Sequence, residues 1–125
     1  MDERAFATAV SERAGLTKQE ALDLVRATVE QLGGQLSSGE TRELGLILPD
    51  GLASQLPQHG HGAHPVPLAD FIRRLAERTG LSRHDVTRGV RATLTVLGQG
   101  PDSTHVWHAL SQLPAEYRRL AVATA

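Results

Sequence analysis

The chain repeats itself at a spacing of 65 residues, and this duplication limits the folds available to it. The tetrapeptide VRAT occurs at residues 25–28 and again at 90–93. At that offset, residues 6–56 align with 71–121 without a gap, and 14 of the 51 positions are identical. We therefore divide the chain, as one domain of 125 residues, into a first repeat (residues 3–56), a linker (57–66) and a second repeat (67–123).

Each repeat predicts a helical hairpin followed by shorter helices. Gly15 and Gly80 are typical helix ends, and Thr17–Glu20 and Ser82–Asp85 are capping boxes that begin the next helix. Apolar or small residues then follow the 3.6-residue period of one helix face, at Ala21, Leu24, Val25, Thr28, Val29 and Leu32 and at Val86, Gly89, Val90, Thr93, Leu94 and Leu97. Gly33 and Gly98 are expected to end these second helices.

The remainder of each repeat also favours helix over strand. A third helix is expected after Ser37 or Ser38 and after Asp102 or Ser103, and Leu-Pro should end it in each repeat. Pro114 should begin a fourth helix, Ala115–Val122, to which 50–56 is a weaker equivalent. The run ELGLIL is the one β-like stretch, and its counterpart HALSQL is not β-like. The predicted fold is all-α: a tandem duplication of a three- to four-helix unit, packed as a pseudo-two-fold bundle with the Val25 and Val90 faces together.

Composition excludes several classes of function. There is no cysteine, so disulfides, thiolate catalysis and cysteine-based zinc sites are absent. The acidic start MDERAFATAV predicts no secretory signal, and no apolar run is long enough to cross a bilayer, so we expect a cytoplasmic protein that does not bind membranes. Residues 1–56 carry a charge of −4 and residues 66–125 a charge of +3, so the two repeats should attract each other.

These motifs resemble one bacterial family across residues 3–121. Both repeats contain Phe-x3-(Val/Leu)-x-Glu-Arg-x-Gly-Leu-(Ser/Thr), then a VRAT helix that ends in Leu-Gly, then Leu-Pro, and the chain closes with QLPAEYRRL. This combination resembles domain-of-unknown-function family 2267. The resemblance implies a small, all-helical, two-repeat cytoplasmic protein and brings no catalytic or binding residues with it. The His-rich linker and the segment GQGPDSTHVWHAL depart from the family pattern.

The first hairpin also resembles, over a shorter stretch, the helical start of HU-type bacterial DNA-bending proteins. That resemblance implies a following β-sheet and long basic arms. The sequence LPDGLASQLPQHGHG follows instead, and the first repeat is acidic.

Histidines give the candidate metal ligands. His59, His61 and His64 lie in the Gly/Pro linker PQHGHGAHPVP, and imidazole is a good ligand for zinc, nickel or copper. His105 and His108 have the i, i+3 spacing that places two side chains on one helix face. A linker imposes no fixed geometry, and no paired carboxylate accompanies the second set. We therefore predict no metal site and no cofactor, with a linker and a solvated helix face as the simpler interpretations.

The second repeat is rich in arginine, which suggests an interaction surface. Its candidates are Arg73, Arg74, Arg88, Arg118, Arg119 and Trp107. Phosphate contacts are one interpretation of such residues. The arginines are dispersed around the predicted helices without interleaved aromatic residues, however, so a face complementary to an acidic protein is favoured and nucleic acid is disfavoured. Trp107 is expected to pack against the fourth helix.

Two arginines inside VRAT have a further interpretation as inter-helix ion pairs. Arg26 should pair with Asp2 or Glu3, and Arg91 with Asp70. Exposed pairs of this kind contribute only about 0–1 kcal/mol each.

No nucleophile motif, phosphate-binding loop or spaced carboxylate pair is present, so we expect no enzyme. The leading hypothesis is a protein–protein interaction or regulatory module that binds a protein partner or itself. It predicts an exposed apolar or charged groove between the repeats. The alternative is nucleic-acid binding by the arginine-rich second repeat.

Overall fold

The computed structural model describes residues 1–57 and 64–122. These two ranges form eight helices and no strand, which confirms the predicted all-α class. The helices are α1 (Glu3–Ala14), α2 (Lys18–Gly33), α3 (Ser38–Ile47), α4 (Asp50–Ala53), α5 (Leu68–Thr79), α6 (Arg83–Leu97), α7 (Ser103–Leu110) and α8 (Ala115–Val122). The first hairpin therefore continues into helices α3 and α4, where an HU-type protein would form a sheet.

The predicted caps form the turn between the two helices of each hairpin. At the start of α2, the Glu20 N–H donates to Thr17 Oγ1 at 3.1 Å and the Thr17 N–H donates to Glu20 Oε1 at 2.9 Å, a complete capping box. At the start of α6, Ser82 Oγ accepts the Asp85 N–H at 3.0 Å. Gly15 and Gly80 end α1 and α5 with φ of 69° and 76°, a left-handed conformation that favours glycine.

The shorter helices differ between the repeats. Helix α3 ends at Ile47, directly before Leu48-Pro49, as predicted. Helix α7 ends at Leu110, and a turn follows before Pro114, so the prediction that Leu-Pro itself ends this helix is wrong in the second repeat. Helix α8 has the predicted bounds, whereas α4 is a single turn.

The core lies between the two hairpins. Helix α1 packs on α2 and on α6, while α5 packs on α6 and on α2; α2 and α6 cross in the middle, and α3 contacts α7. Val25 and Val90 are fully buried in these central helices. The first helix of each hairpin thus packs on the second helix of both hairpins. A two-fold axis that relates the two repeats would produce this pattern. The axis itself remains a prediction.

The core is aliphatic, with one aromatic pair. Phe71 of α5 and Tyr117 of α8 meet edge to face, with ring centroids 5.4 Å apart. The other buried large side chains are mainly leucine and valine. None of the helices in the described ranges is long and apolar enough to cross a membrane.

The predicted arginine pairs have opposite outcomes. Arg26 Nε donates to Glu3 Oε1, which confirms the first pair. Arg91 forms no pair with Asp70, so the second prediction is wrong. The reason is register: the residue 65 positions after Glu3 is Leu68, and Asp70 lies two residues further along α5, about 200° around the helix.

Contacts between a carboxylate and a basic side chain also join the two repeats. Arg78 Nη2 lies 2.5 Å from Glu30 Oε2, and His108 Nδ1 lies 3.2 Å from Glu40 Oε1. In both, the first repeat supplies the carboxylate and the second supplies the base, as the charge asymmetry predicts. These pairs are partly exposed and therefore orient the repeats more than they stabilise them.

Candidate interaction cleft between the repeats

An apolar cleft of about 360 Å³ opens where the start of α1, the end of α3, the end of α6 and the start of α7 meet. Residues from both halves of the chain line it: Met1, Phe6, Ile47 and Pro49 from the first, and Val96, Leu97, Gln99, Gly100, Pro101, Asp102 and Val106 from the second. Its wall combines a thioether, an aromatic ring and branched aliphatic side chains, with one carboxylate. Such a wall suits an apolar group that carries little charge.

A second cavity of about 350 Å³ lies in the corresponding place of the other hairpin. The offset of 65 residues relates Phe6 to Phe71 and Gly100 to Gln35 in the two linings. The second cavity is polar, and its lining is Gln31, Gly34, Gln35, His64, Val66, Phe71, Arg74 and Arg78.

A ring of three hydrogen bonds closes the inner wall of this second cavity. Tyr117 Oη donates to the Val66 carbonyl at 2.7 Å, the Val66 N–H donates to Gln35 Oε1 at 2.8 Å, and Gln35 Nε2 donates to Tyr117 Oη at 3.2 Å. Gln35 is 3% exposed and Tyr117 is fully buried, so the ring satisfies polar groups that have little or no contact with water. Burial raises the pKa of Tyr117 to about 12, because the charged phenolate is not solvated there.

The apolar cleft has no counterpart of this ring. Gly100 stands where the other half has Gln35, and Leu52 stands where it has Tyr117. A Cβ added at Gly100 would meet nothing within 4 Å. The two cavities therefore have similar volumes but different walls: the second cavity has a hydrogen-bonded glutamine in its wall, and the apolar cleft has a glycine at the equivalent position.

The predicted histidines that the structure describes lie in two separate places. His59 and His61 lie outside the described residues. His64 lines the second cavity beside Arg74 and Arg78. His105 and His108 are exposed on α7, where Glu40 approaches His108 from α3. Within residues 1–57 and 64–122, no group of three or more acidic, histidine or cysteine side chains is arranged to hold a metal ion.

The predicted arginines face different neighbours. Arg73 pairs with Glu77 one turn along α5, at 3.1 Å, and Arg74 is exposed at the second cavity. The guanidinium of Arg88 lies against Gly15, at the end of α1. These three residues therefore have no neighbour in common among these contacts.

The remaining candidates lie at the C-terminal end of the fold. Arg118 Nη1 is 3.4 Å from the Leu110 carbonyl and 3.5 Å from that of Leu113, so it caps the end of α7. Arg119 is exposed on α8. Trp107 is half-buried, and its ring packs over Gly98 at the end of α6.

The interaction hypothesis predicts a groove between the repeats but not its lining residues, although a signal for its position exists. Alignment of the repeats shows Gln35 against Gly100 and Leu52 against Tyr117, two differences of side-chain volume at neighbouring core positions. A comparison of the repeats for positions where one of them has the smaller side chain would have indicated this region. The position of the groove between the halves required the tertiary structure.

Comparison with known proteins agrees with the motifs. The model of the family described as "Uncharacterized conserved protein (DUF2267)" matches residues 3–120. No curated protein matches the chain. The match spans both hairpins, the linker and the residues of the cleft from Phe6 onwards, and on this evidence the chain belongs to the DUF2267 family.

Proposed function

We propose that this protein is a non-enzymatic, cytoplasmic helical module that acts by binding another protein, as an adaptor or regulatory component. The observation that carries the proposal is the apolar cleft between the repeats. It supplies what the interaction hypothesis requires: an exposed groove to which both repeats contribute.

The cleft is suited to hold an apolar side chain of a partner. Phe6 and Val106 are almost completely buried at its wall, while Met1 is 75% exposed at its edge. The volume of about 360 Å³ accommodates one or two large side chains rather than a folded segment. Buried apolar anchors of this kind supply most of the affinity in many protein interfaces.

The decisive variant is Gly100→Gln, which adds to the cleft the side chain that Gln35 contributes to the wall of the second cavity. The experiment is a pull-down from a nuclease-treated lysate of the native host. We expect wild-type protein to retain a discrete partner and Gly100→Gln to lose it, because the glutamine occupies the space meant for the partner's side chain.

Gly39→Gln is the matched control. Gly39 also has nothing within 4 Å of an added Cβ, but it lies in the first turn of α3 and does not line the cleft. This variant should retain the partner as wild type does. Equal retention by all three proteins would contradict the proposal, provided that circular dichroism shows the same fold for each.

Nucleic-acid binding by the second repeat is the alternative. Its support is the charge of +3 on residues 66–125 and the exposed Arg74 and Arg119. It predicts retention of DNA or RNA that weakens steeply as salt increases. Absence of binding to a duplex or single strand at low salt would exclude it.

A further inference from the structure

Arg91 of α6 is an arginine without a partner. Its Nε is buried and forms no hydrogen bond. No described residue accepts a hydrogen bond from its terminal nitrogens either, and these are not among the buried atoms. A half-buried guanidinium that uses none of its five N–H groups is costly, because it has lost part of its hydration without replacement.

The first repeat shows how the same arginine is satisfied. Arg26, its equivalent 65 residues earlier, donates from Nε to Glu3 Oε1 at the start of α1. The Arg26 and Glu3 side chains remain 43% and 20% exposed, so this pair forms at the surface of the α1–α2 groove.

The second repeat contains no carboxylate that could serve Arg91 in the same way. Leu68 replaces Glu3. Four acidic residues of this repeat are directed elsewhere: Asp70 lies close enough to Tyr117 to contribute to the increase in its pKa, Glu77 pairs with Arg73, Asp102 lines the apolar cleft, and Glu116 accepts the Leu68 N–H at 3.1 Å. Asp85, in the first turn of α6, forms no ion pair with Arg91.

The repeat correspondence assigns cationic residues to the positions around Arg91. In the first repeat, a groove of about 450 Å³ is lined by Glu3, Arg4, Ala7, Thr8, Lys18, Gln19, Leu22 and Arg26. The equivalent positions on α5 and α6 are Leu68, Ala69, Ile72, Arg73, Arg83, His84, Thr87 and Arg91. They include three arginines and no acid. Of these arginines, Arg83 and Arg91 form no ion pair with any described residue.

We infer that the α5–α6 face, defined by these eight positions, binds a carboxylate side chain from an acidic segment of a partner protein, with Arg91 as its anchor. The partner's carboxylate pairs with the exposed terminal nitrogens of Arg91, whereas Glu3 pairs with Nε of Arg26, and Arg83 supplies a second positive charge. The inference rests on the proposed function, since it describes a second contact with a protein partner. It adds the chemistry of that partner: an apolar side chain for the cleft and acidic residues for Arg91.

Charge complementarity favours an acidic segment over other occupants. At the equivalent site of the first repeat, the guanidinium of Arg26 binds a single carboxylate, and that carboxylate is the protein side chain of Glu3. Arginine binds carboxylates through two parallel N–H groups, and the exposed terminal nitrogens of Arg91 are free to do so. A nucleic acid would need several phosphate contacts along one face, and Arg73 is already engaged by Glu77.

The test follows the arginine Nε–H resonances of the ¹⁵N-labelled full chain by NMR. The probes are a capped hexaglutamate peptide, a hexaglutamine peptide and a hexathymidylate oligonucleotide. We expect hexaglutamate to shift the Arg91 resonance in a saturable manner and to leave Arg26 unchanged, because Glu3 already occupies that site. Hexaglutamine should shift neither.

Leu68→Glu supplies the missing carboxylate from within the chain. It should weaken hexaglutamate binding by roughly tenfold to a hundredfold, the value of one charge-assisted pair, while Leu68→Gln should bind as wild type does. The reciprocal variant Glu3→Leu should expose Arg26 and create a second hexaglutamate site. Thermal melts of all three variants establish that they are folded.

Three results would overturn the inference: no shift at Arg91 with hexaglutamate, equal affinity in wild type and Leu68→Glu, or a shift produced by the oligonucleotide alone. The last would indicate a phosphate site instead. The proposed function is tested separately. If the Gly100→Gln variant no longer retains the partner and the Leu68→Glu variant still does, the proposed role of the cleft stands and the acidic contact is excluded.

Discussion

Leu24 of α2 lies directly on Gly89 of α6, the residue that stands 65 positions after it in the chain. A Cβ added at Gly89 would be 2.1 Å from Leu24 Cδ2 and 3.4 Å from Leu16 Cδ1. The two central helices can approach this closely only because one contributes a leucine and the other contributes no side chain. A residue that packs against its own equivalent is expected next to a two-fold axis, so this contact offers a direct test of the predicted symmetry.

Gly89→Ala should destabilise the fold by about 1–3 kcal/mol in denaturant unfolding. The added methyl group overlaps a leucine that is fully buried and cannot move aside, which outweighs the roughly 1 kcal/mol by which alanine favours a helix over glycine. Gly39→Ala, at an open position of α3, should be neutral or slightly stabilising.

The exchanged variant Leu24→Gly/Gly89→Leu should recover most of the stability that Gly89→Leu alone loses. Under two-fold packing, the leucine of α6 would fill the space that the leucine of α2 vacates. Failure of the double variant to improve on Gly89→Leu would show that the two sites are not related by symmetry.

The paired threonines of VRAT should respond in opposite directions to valine. Thr28 Oγ1 is buried without a hydrogen bond, whereas Thr93 Oγ1 donates to the Gly89 carbonyl at 2.7 Å. Thr28→Val removes an unsatisfied polar atom and should stabilise by about 1 kcal/mol, while Thr93→Val should cost about 0.5–1.5 kcal/mol. Urea denaturation of both variants measures the difference, and identical effects would contradict this assignment.

Tyr117 should make the fold sensitive to alkaline pH. Its pKa is 10.0 in the unfolded reference and about 12 in the folded protein, so the folded state retains the phenol proton where the unfolded state releases it. The contribution of this group is complete below pH 10 and is lost as the pH rises from 10 to 12, at a slope of up to about 1.4 kcal/mol per pH unit.

Tyr117→Phe is the control for that titration. It should lower stability at pH 7 by roughly 1–2 kcal/mol, because Gln35 and the Val66 carbonyl lose their partner. Its unfolding free energy should then change less than that of wild type between pH 10 and 12. Parallel pH profiles for the two proteins would exclude Tyr117 as the source of the loss of stability at alkaline pH.

The two left-handed glycines should be equally intolerant of alanine. Gly15→Ala and Gly80→Ala should each cost about 1–2 kcal/mol, since an L-residue is strained at φ of 69° or 76°. The Arg88 guanidinium, which lies 3.3 Å from an added Cβ at Gly15, is the end of a flexible side chain and can move. Gly100→Ala has no positive φ to maintain and should change the midpoint of thermal unfolding little.

The sequence alone determined the local structure of this protein. The capping box at Thr17–Glu20, the left-handed glycines and the start of α8 after Pro114 could be predicted because each depends on a few neighbouring residues. The period of the apolar residues likewise identified the faces of α2 and α6 that enter the core, and the motifs identified the family.

Only the tertiary structure decided how the two repeats differ. The Arg91–Asp70 prediction failed because a shift of two residues along α5 changes the direction of a side chain, and the identical VRAT motif gives no information about its partners. The ring of Tyr117, Gln35 and Val66 joins residues more than 30 positions apart, and the apolar cleft has no counterpart of that ring. Local pattern fixes which face of a helix is buried, whereas packing between distant segments fixes what each buried or half-buried group meets.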